Sequence, residues 1–193
     1  MICSLCQERA IVSQRYLGRH LCQDHFIQDF EGRMVQTIVV NRMIEKGERI
    51  AVAVSGGKDS TALLFALSRV LAEKEVEMVA LTVDEGIAGY RDDTIVAAKR
   101  IARQMGVEQV IISFQEEYGW SLDEMVVGAE VAPCTYCGVF RKNALNCAAK
   151  SLGVTKLATG HNQDDEAQSV MMNYLKGDME RLMRFRPDRK SVV

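Results

Sequence analysis

Between Arg49 and Leu64 the chain reads RIAVAVSGGKDSTALL. A run of apolar, β-branched residues stops at a serine and two glycines. A lysine, an aspartate and a second serine follow before helical spacing sets in. Gly56 and Gly57 let a backbone turn sharply and approach a ligand closely. Successive N–H groups then point inward as an anion nest, at the start of a helix whose dipole favours negative charge. Ser55 and Ser60 add hydroxyl donors and Lys58 a point charge, so the stretch is equipped to hold phosphate. It is not a Walker loop, which needs a glycine, four residues, then Gly-Lys-Ser/Thr. Here Asp59 follows Lys58 and the first glycine is missing; G-x-G-x-x-G is not matched either. A plain Gly-Gly turn between strand and helix is the bland alternative.

Six cysteines are many for 193 residues without a secretory signal pattern, and they point to metal or redox chemistry rather than a disulfide framework. Cys3-x2-Cys6 and Cys22-x2-His25 are two chelating hooks with 15 residues between the pairs. That spacing matches a tetrahedral structural zinc site, and metal would supply much of the folding energy of so short a segment. His20 competes with His25 but breaks the paired spacing; free thiols are the plain alternative. The second pair, Cys134 and Cys137 in APCTYCGVF, is ambiguous alone: a redox pair, half a metal site, or part of an iron–sulfur cluster. It is expected between Pro133 and a helix start, where the helix N-terminus would stabilise thiolates. Cys147 reads as a buried structural thiol. In LATGHNQDDEAQ, Asp164, Asp165 and Glu166 crowd a helix start, where acids commonly serve the dipole.

These residues need elements to hold them. Residues 31–46 place Met34, Ile38 and Met43 near one helical face, closed by Gly47. Strands are predicted at 49–54, 76–83, 107–113 and 154–159. Helices are predicted at 58–72, 91–105, near 120–129, at 138–152 and at 163–176. Such alternation means an α/β fold with a parallel sheet and right-handed crossovers. Ligands bind beyond the carboxyl ends of such strands. The residues standing there are Ser55 to Ser60, Asp84, Gly160 and His161. Two domains are expected: a zinc-binding module over 1–30 and an ATP-binding catalytic domain over 31–193. Hydrophobic content of 48% and charged content of 26% suit a globular protein, and no apolar run is long enough to span a membrane. A cytoplasmic location is expected. The net charge of −2 gives no global reason for nucleic-acid binding, although Arg181, Arg184, Arg186, Arg189 and Lys190 form a local basic tail.

SGGKDS resembles the PP-loop of the ATP pyrophosphatase superfamily. The resemblance implies a PP-loop, adenine nucleotide α-hydrolase-like (Rossmann-like) domain that cleaves ATP between the α and β phosphates. It also implies that backbone near Ala53 and from Leu81 to Asp84 surrounds the adenosine. The order PP-loop, Cys-x-x-Cys-Gly, GHNQDDEAQ, with the N-terminal hooks, is similar to the PP-loop tRNA 2-thiouridine synthetase family. That likeness implies ATP-dependent adenylation of a uridine C2 carbonyl oxygen and then sulfur transfer. Cys134, Cys137, Asp165 and Arg141 are its catalytic candidates. Arg141 stays protonated and so stabilises charge rather than shuttling protons, with Lys142 as a fallback. Mg2+ is expected near Asp59 or Asp165, and Zn2+ on the N-terminal hooks. The family's [4Fe-4S] cluster would take Cys134, Cys137 and a later third cysteine. None follows Cys147, and a second zinc module is missing too, so a C-terminally shortened member is expected. Partners implied are tRNA, a ubiquitin-like sulfur carrier and a second copy of the chain. Rival readings are a tRNA-cytidine 2-thiolase, a tRNA-lysidine synthetase and a non-catalytic nucleotide-binding module of a sulfur-relay complex.

Overall fold

The computed structural model describes residues 1–89, 91–128 and 132–184. The chain forms two compact units, Met1–Glu45 and Lys46–Val193.

In the first unit, strands β1 (Val12–Gln14) and β2 (Arg19–Leu21) pair antiparallel, and helix α1 (Gln23–Val40) follows. Its small core is Cys3, Leu21 and Cys22 with Phe26 against them. So little apolar surface cannot order a segment alone, and the remaining cohesion comes from polar ties. Asp29 on α1 accepts from Gln14 Nε2 at 3.1 Å and pairs with Arg19, gripping both strands of the hairpin. The helix expected over 31–46 starts earlier and ends earlier. Cys22 is its N-cap, so the expected division at residue 30 falls inside α1. Met43 lies beyond its end, and Gly47 bonds Glu75 instead of closing it.

In the second unit a four-stranded parallel sheet runs in the order β5-β4-β3-β6. The strands are β3 (Arg49–Ala53), β4 (Glu77–Asp84), β5 (Glu108–Ser113) and β6 (Lys156–Ala158). Helices α2 (Lys58–Val70) and α3 (Arg91–Gln104) follow β3 and β4. Two short helices, α4 (Phe114–Tyr118) and α5 (Leu122–Met125), replace the single one predicted near 120–129. Gly119 breaks the run in a left-handed conformation and Ser121 caps α5 with a Glu124 capping box. Helix α6 spans Pro133–Ser151, α7 Gln163–Leu175 and α8 Met179–Arg184.

Alternation decides the layers. Ala51, Val79, Leu81, Val83 and Leu157 share one cluster with Ala144, Leu145 and Ala149 of α6. The residues of opposite parity, Ile50, Val52, Ala80 and Thr82, are buried too, so both sheet faces are covered. Order reverses between β3 and β6, since β4 and β5 extend from one side of β3 and β6 joins the other. That reversal opens a crevice at the carboxyl edge. Among the described residues no helix is long and apolar enough to cross a membrane.

Candidate functional site

A cavity of about 380 Å³ occupies this crevice, within the roughly 300–1,000 Å³ typical of small-molecule sites. Ala53, Ser55, Gly57, Asp59, Ser60, Gly160, His161 and Arg141, all expected from the sequence, line it. The loop after β3 is built for close approach. Gly56 has φ +85°, and a β-carbon there would lie 2.1 Å from the Thr94 carbonyl oxygen. Ser60 is buried; its hydroxyl accepts the Ser55 N–H at 3.1 Å and donates to the Gly57 carbonyl at 3.1 Å. The first helical hydrogen bond of α2 runs from Thr61 N–H to Gly57 C=O, so the amides of Lys58, Asp59 and Ser60 have no acceptor within the helix. The loop and these amides fit a phosphate chain. Ala53, Leu81, Val83 and Leu145 give the cavity an apolar wall that suits a nucleobase. Across the mouth, His161 shares a 2.9 Å hydrogen bond with Thr159.

Five expected residues stand differently. Lys58 is exposed at the head of α2 and does not line the cavity. Asp84 does not line it either; its Oδ1 accepts the Gly86 N–H at 3.0 Å and bends the chain after β4. Asp165 sits at N3 of α7, where Oδ2 accepts the Asn162 N–H at 2.9 Å in a capping box. Cys134 and Cys137 lie inside α6, which begins at Pro133, rather than ahead of a helix.

Sequence reasoning missed Glu85, one residue past Asp84. Strand periodicity could have found it: Leu81, Val83 and Glu85 share a face, and all three line the cavity. Glu85 is 1% exposed and stands between two arginines. Its Oε1 accepts Arg141 Nε–H at 2.6 Å, and Oε2 lies 2.7 Å from Arg91 Nε. Arg91 is buried and donates to the carbonyls of Val83 and Ser55, the latter at 3.2 Å. Arg141 Nη2 donates to Cys137 Sγ at 2.8 Å. Residues 137, 141 and 145 follow i, i+4, i+8 spacing, so one stripe of α6 carries thiol, guanidinium and cavity wall. Burial pushes the Cys137 thiol up despite Arg141, so the helix N-terminus does not hold it as a ready thiolate. Cys134 is exposed. Cys147 is exposed as well, against expectation, and lies ten residues beyond Cys137, about 15 Å along the helix. Among the described residues no third cysteine joins Cys134 and Cys137. Two thiols fall short of the ligand set of a [4Fe-4S] cluster.

In the first unit, Cys3, Cys6, Cys22 and His25 offer ligand atoms that all lie within 4.8 Å of one another. A tetrahedral zinc site has S–S edges of about 3.8 Å and S–N edges of about 3.6 Å. Cys6 and Cys22 sulfurs are 3.7 Å apart, and His25 Nδ1 is 3.5 Å from Cys3 Sγ and 3.2 Å from Cys22 Sγ. The four residues therefore fit zinc. Burial disfavours a Cys3 thiolate, yet backbone hydrogen bonds at Cys22 and Leu5 outweigh it and bring the thiol down to about 6. In the basic tail, Arg181 pairs with Asp178 at 3.2 Å. Arg186, Arg189 and Lys190 lie outside the described residues.

Comparison with known proteins matches two stretches of the chain. Residues 2–27 match the model of the 2-thiouridine synthetase TtuA N-terminal LIM domain. The chain is 44% identical to cytoplasmic tRNA 2-thiolation protein 1 of Kluyveromyces lactis over 94% of its length, and 44% identical over 94% to that of Xenopus laevis. It spans 50% and 54% of those relatives, so it covers about half their length. The U34-tRNA thiolase NcsA from Methanococcus maripaludis, solved with its [4Fe-4S] cluster, superposes with a TM-score of 0.85 at 35% identity, over 95% of this chain and 60% of that one. Residues 28–191, which carry the loop, the crevice and α6, match the PP-loop domain model, and the chain belongs to that family.

Proposed function

We propose that this chain is the nucleotide-binding and sulfur-handling part of a cytoplasmic tRNA 2-thiouridine synthetase. The observation that carries the reading is the single cavity that joins the phosphate loop to Arg141, whose guanidinium reaches Cys137. The wall of the nucleotide site thus reaches the Cys137 sulfur through Arg141.

The uridine O2 oxygen attacks the α-phosphorus of ATP and the bond to the β-phosphate oxygen breaks, releasing pyrophosphate. A sulfur nucleophile then attacks C2, and AMP leaves with the former O2 oxygen. The loop amides and Lys58 stabilise the leaving pyrophosphate, and Asp59 is the carboxylate beside it for Mg2+, which neutralises phosphate charge when bound. Ser55, Gly56, Gly57 and Ser60 shape the loop, Ala53 borders the base, and Gly160 and His161 close the far side. Arg141 stabilises the negative charge that develops at C2 and AMP. Asp165 supplies a carboxylate near the α7 head. Cys134 and Cys137 handle the sulfur, and the family likeness implies them as two of the cysteines that would hold a [4Fe-4S] cluster, a group that the similar NcsA structure contains. Zn2+ on Cys3, Cys6, Cys22 and His25 is structural. Partners in this reading are tRNA, a ubiquitin-like sulfur carrier and a second copy of the chain.

The test is nucleoside mass spectrometry of tRNA from cells lacking the gene. Loss of 2-thiouridine supports the reading and gives the position. Intact thiouridine with lost thiocytidine points to the cytidine enzyme, and no change in any thionucleoside to a non-catalytic module; either result overturns it.

A further inference from the structure

The buried carboxylate of Glu85 has no place in the chemistry above, yet the fold fixes it firmly. Asp84 turns the chain by accepting the Gly86 N–H, the Glu85 carbonyl accepts the Leu122 N–H at 2.7 Å, and Asp123 holds the Ala88 N–H at 2.9 Å. A carboxylate 1% exposed is costly unless paired. Arg91, itself 6% exposed, balances the charge, but its Nε–H does not point at Oε2, so that contact is Coulombic rather than a hydrogen bond. The directional bond of Glu85 goes to Arg141, whose side chain is 47% exposed and would otherwise be free to leave the wall.

We propose that Glu85 is a positioning residue that holds the Arg141 guanidinium against the Cys137 sulfur. Nε is spent on Glu85 and Nη2 on Cys137, a two-sided span that the planar fork of arginine allows and a lysine does not. Arg91 ties the same carboxylate to the carbonyl of Ser55, so the phosphate loop and the cysteine helix meet at one anion. The consequence for thiolation rests on the function proposed above; the contact with Cys137 does not.

The experiment compares Glu85→Asp, Arg141→Met, their double variant and Arg141→Lys in the full-length protein without added iron. Alkylation of Cys137 by iodoacetamide is read at one pH by mass spectrometry, with exposed Cys134 as internal reference. Glu85→Asp keeps the charge beside Arg91 but shortens the reach by one methylene. It is expected to lower the Cys137-to-Cys134 ratio about threefold or more, as Arg141→Met does, and the double variant is expected to match Arg141→Met alone. An unchanged ratio in Glu85→Asp, or additive effects in the double variant, overturns the proposal. Arg141→Lys alters a half-exposed side chain and keeps the fold even where Glu85→Asp does not. A wild-type ratio there means that charge alone suffices, and the span is idle. In thiolation assays Glu85→Asp is expected to lower kcat about tenfold with the ATP KM within about twofold; an unchanged kcat overturns the link to turnover. If the wild-type protein thiolates no tRNA, the functional reading fails while the alkylation ratios still decide the role of Glu85.

Discussion

Gly160 stands so close to the first turn of α2 that a β-carbon on it would lie 2.8 Å from the Ser60 amide nitrogen and 2.9 Å from the Ser60 Cα. The atoms it would meet are backbone, which cannot swing aside as a side chain can. Both loops flank the cavity, so the strand end after β6 and the phosphate loop are in contact because this residue has no side chain. Gly160→Ala must separate them. The expected result is a loss of ATP affinity of about tenfold or more, with the unit still folded, since the strain is local and of the order of 1–3 kcal/mol. Equilibrium binding of ATP beside a thermal melt checks it; unchanged affinity would mean that the loops need not touch to hold the nucleotide.

Lys58 heads α2 and is exposed, as a group that meets a charged ligand from solvent must be before binding. Its ammonium is expected to act on the pyrophosphate as it leaves. Lys58→Ala should cut pyrophosphate release by about 10²–10³-fold, the range for losing one preorganised charge donor. Release of labelled pyrophosphate from ATP in the presence of tRNA measures this.

Much of this site was legible because its chemistry is written in contiguous residues. Ser55, Gly57, Asp59 and Ser60 of SGGKDS line the cavity with Gly160, His161 and Arg141, and the paired hooks of the first unit converge as their spacing implies. What was hidden depended on tertiary contact. Glu85 stands next to a plausible ligand, Asp84, and sheet parity turns it inward between Arg91 and Arg141. Arg91 opens a helix that reads as an ordinary amphipathic segment, yet its side chain is buried against two carbonyls of the sheet edge. The sequence pattern starts α6 at 138 because proline reads as loop punctuation, whereas Pro133 stands at the first helical position, where its ring is already shaped for a helix.

Asp165 has two claims on its carboxylate, the capping box and catalysis, and one substitution separates them. Asp165→Asn retains an oxygen acceptor for the Asn162 N–H but removes the charge. The expected outcome is a fall in thiolation turnover with an unchanged unfolding midpoint. Asp165→Ala should add a stability loss of about 1 kcal/mol from the broken cap. Full turnover in Asp165→Asn would leave the residue as a cap alone.

Cys22 is both N-cap of α1 and one of the four convergent ligand atoms, so metal binding and helix placement share a residue. Cys22→Ser should lower bound zinc from about one equivalent to near none and speed amide exchange across the β1–β2 hairpin. Elemental analysis with hydrogen-exchange mass spectrometry reads both. Unchanged zinc content would remove the assignment.

Asp29 sets how the first unit responds to acid. Its hydrogen bond from Gln14, the hydrogen bond and charge of Arg19 and the charge of Arg33 hold its carboxyl below the ordinary range. A depressed folded-state pKa means that the folded form binds fewer protons than the unfolded one at intermediate pH. The stabilisation is therefore present above the unfolded value of about 3.9 and is lost as pH falls through the lower folded value. Asp29→Asn removes the titration while keeping the shape. Wild type is expected to exceed Asp29→Asn in hydrogen-exchange protection of the β1–β2 hairpin near neutral pH, and the gap should close as the solution is acidified below the carboxylate range. Because both proteins carry the same metal ligands, acid loss of zinc affects them alike and cancels in the difference. A gap that stays constant with pH would show that shape, not charge, makes the Asp29 contact.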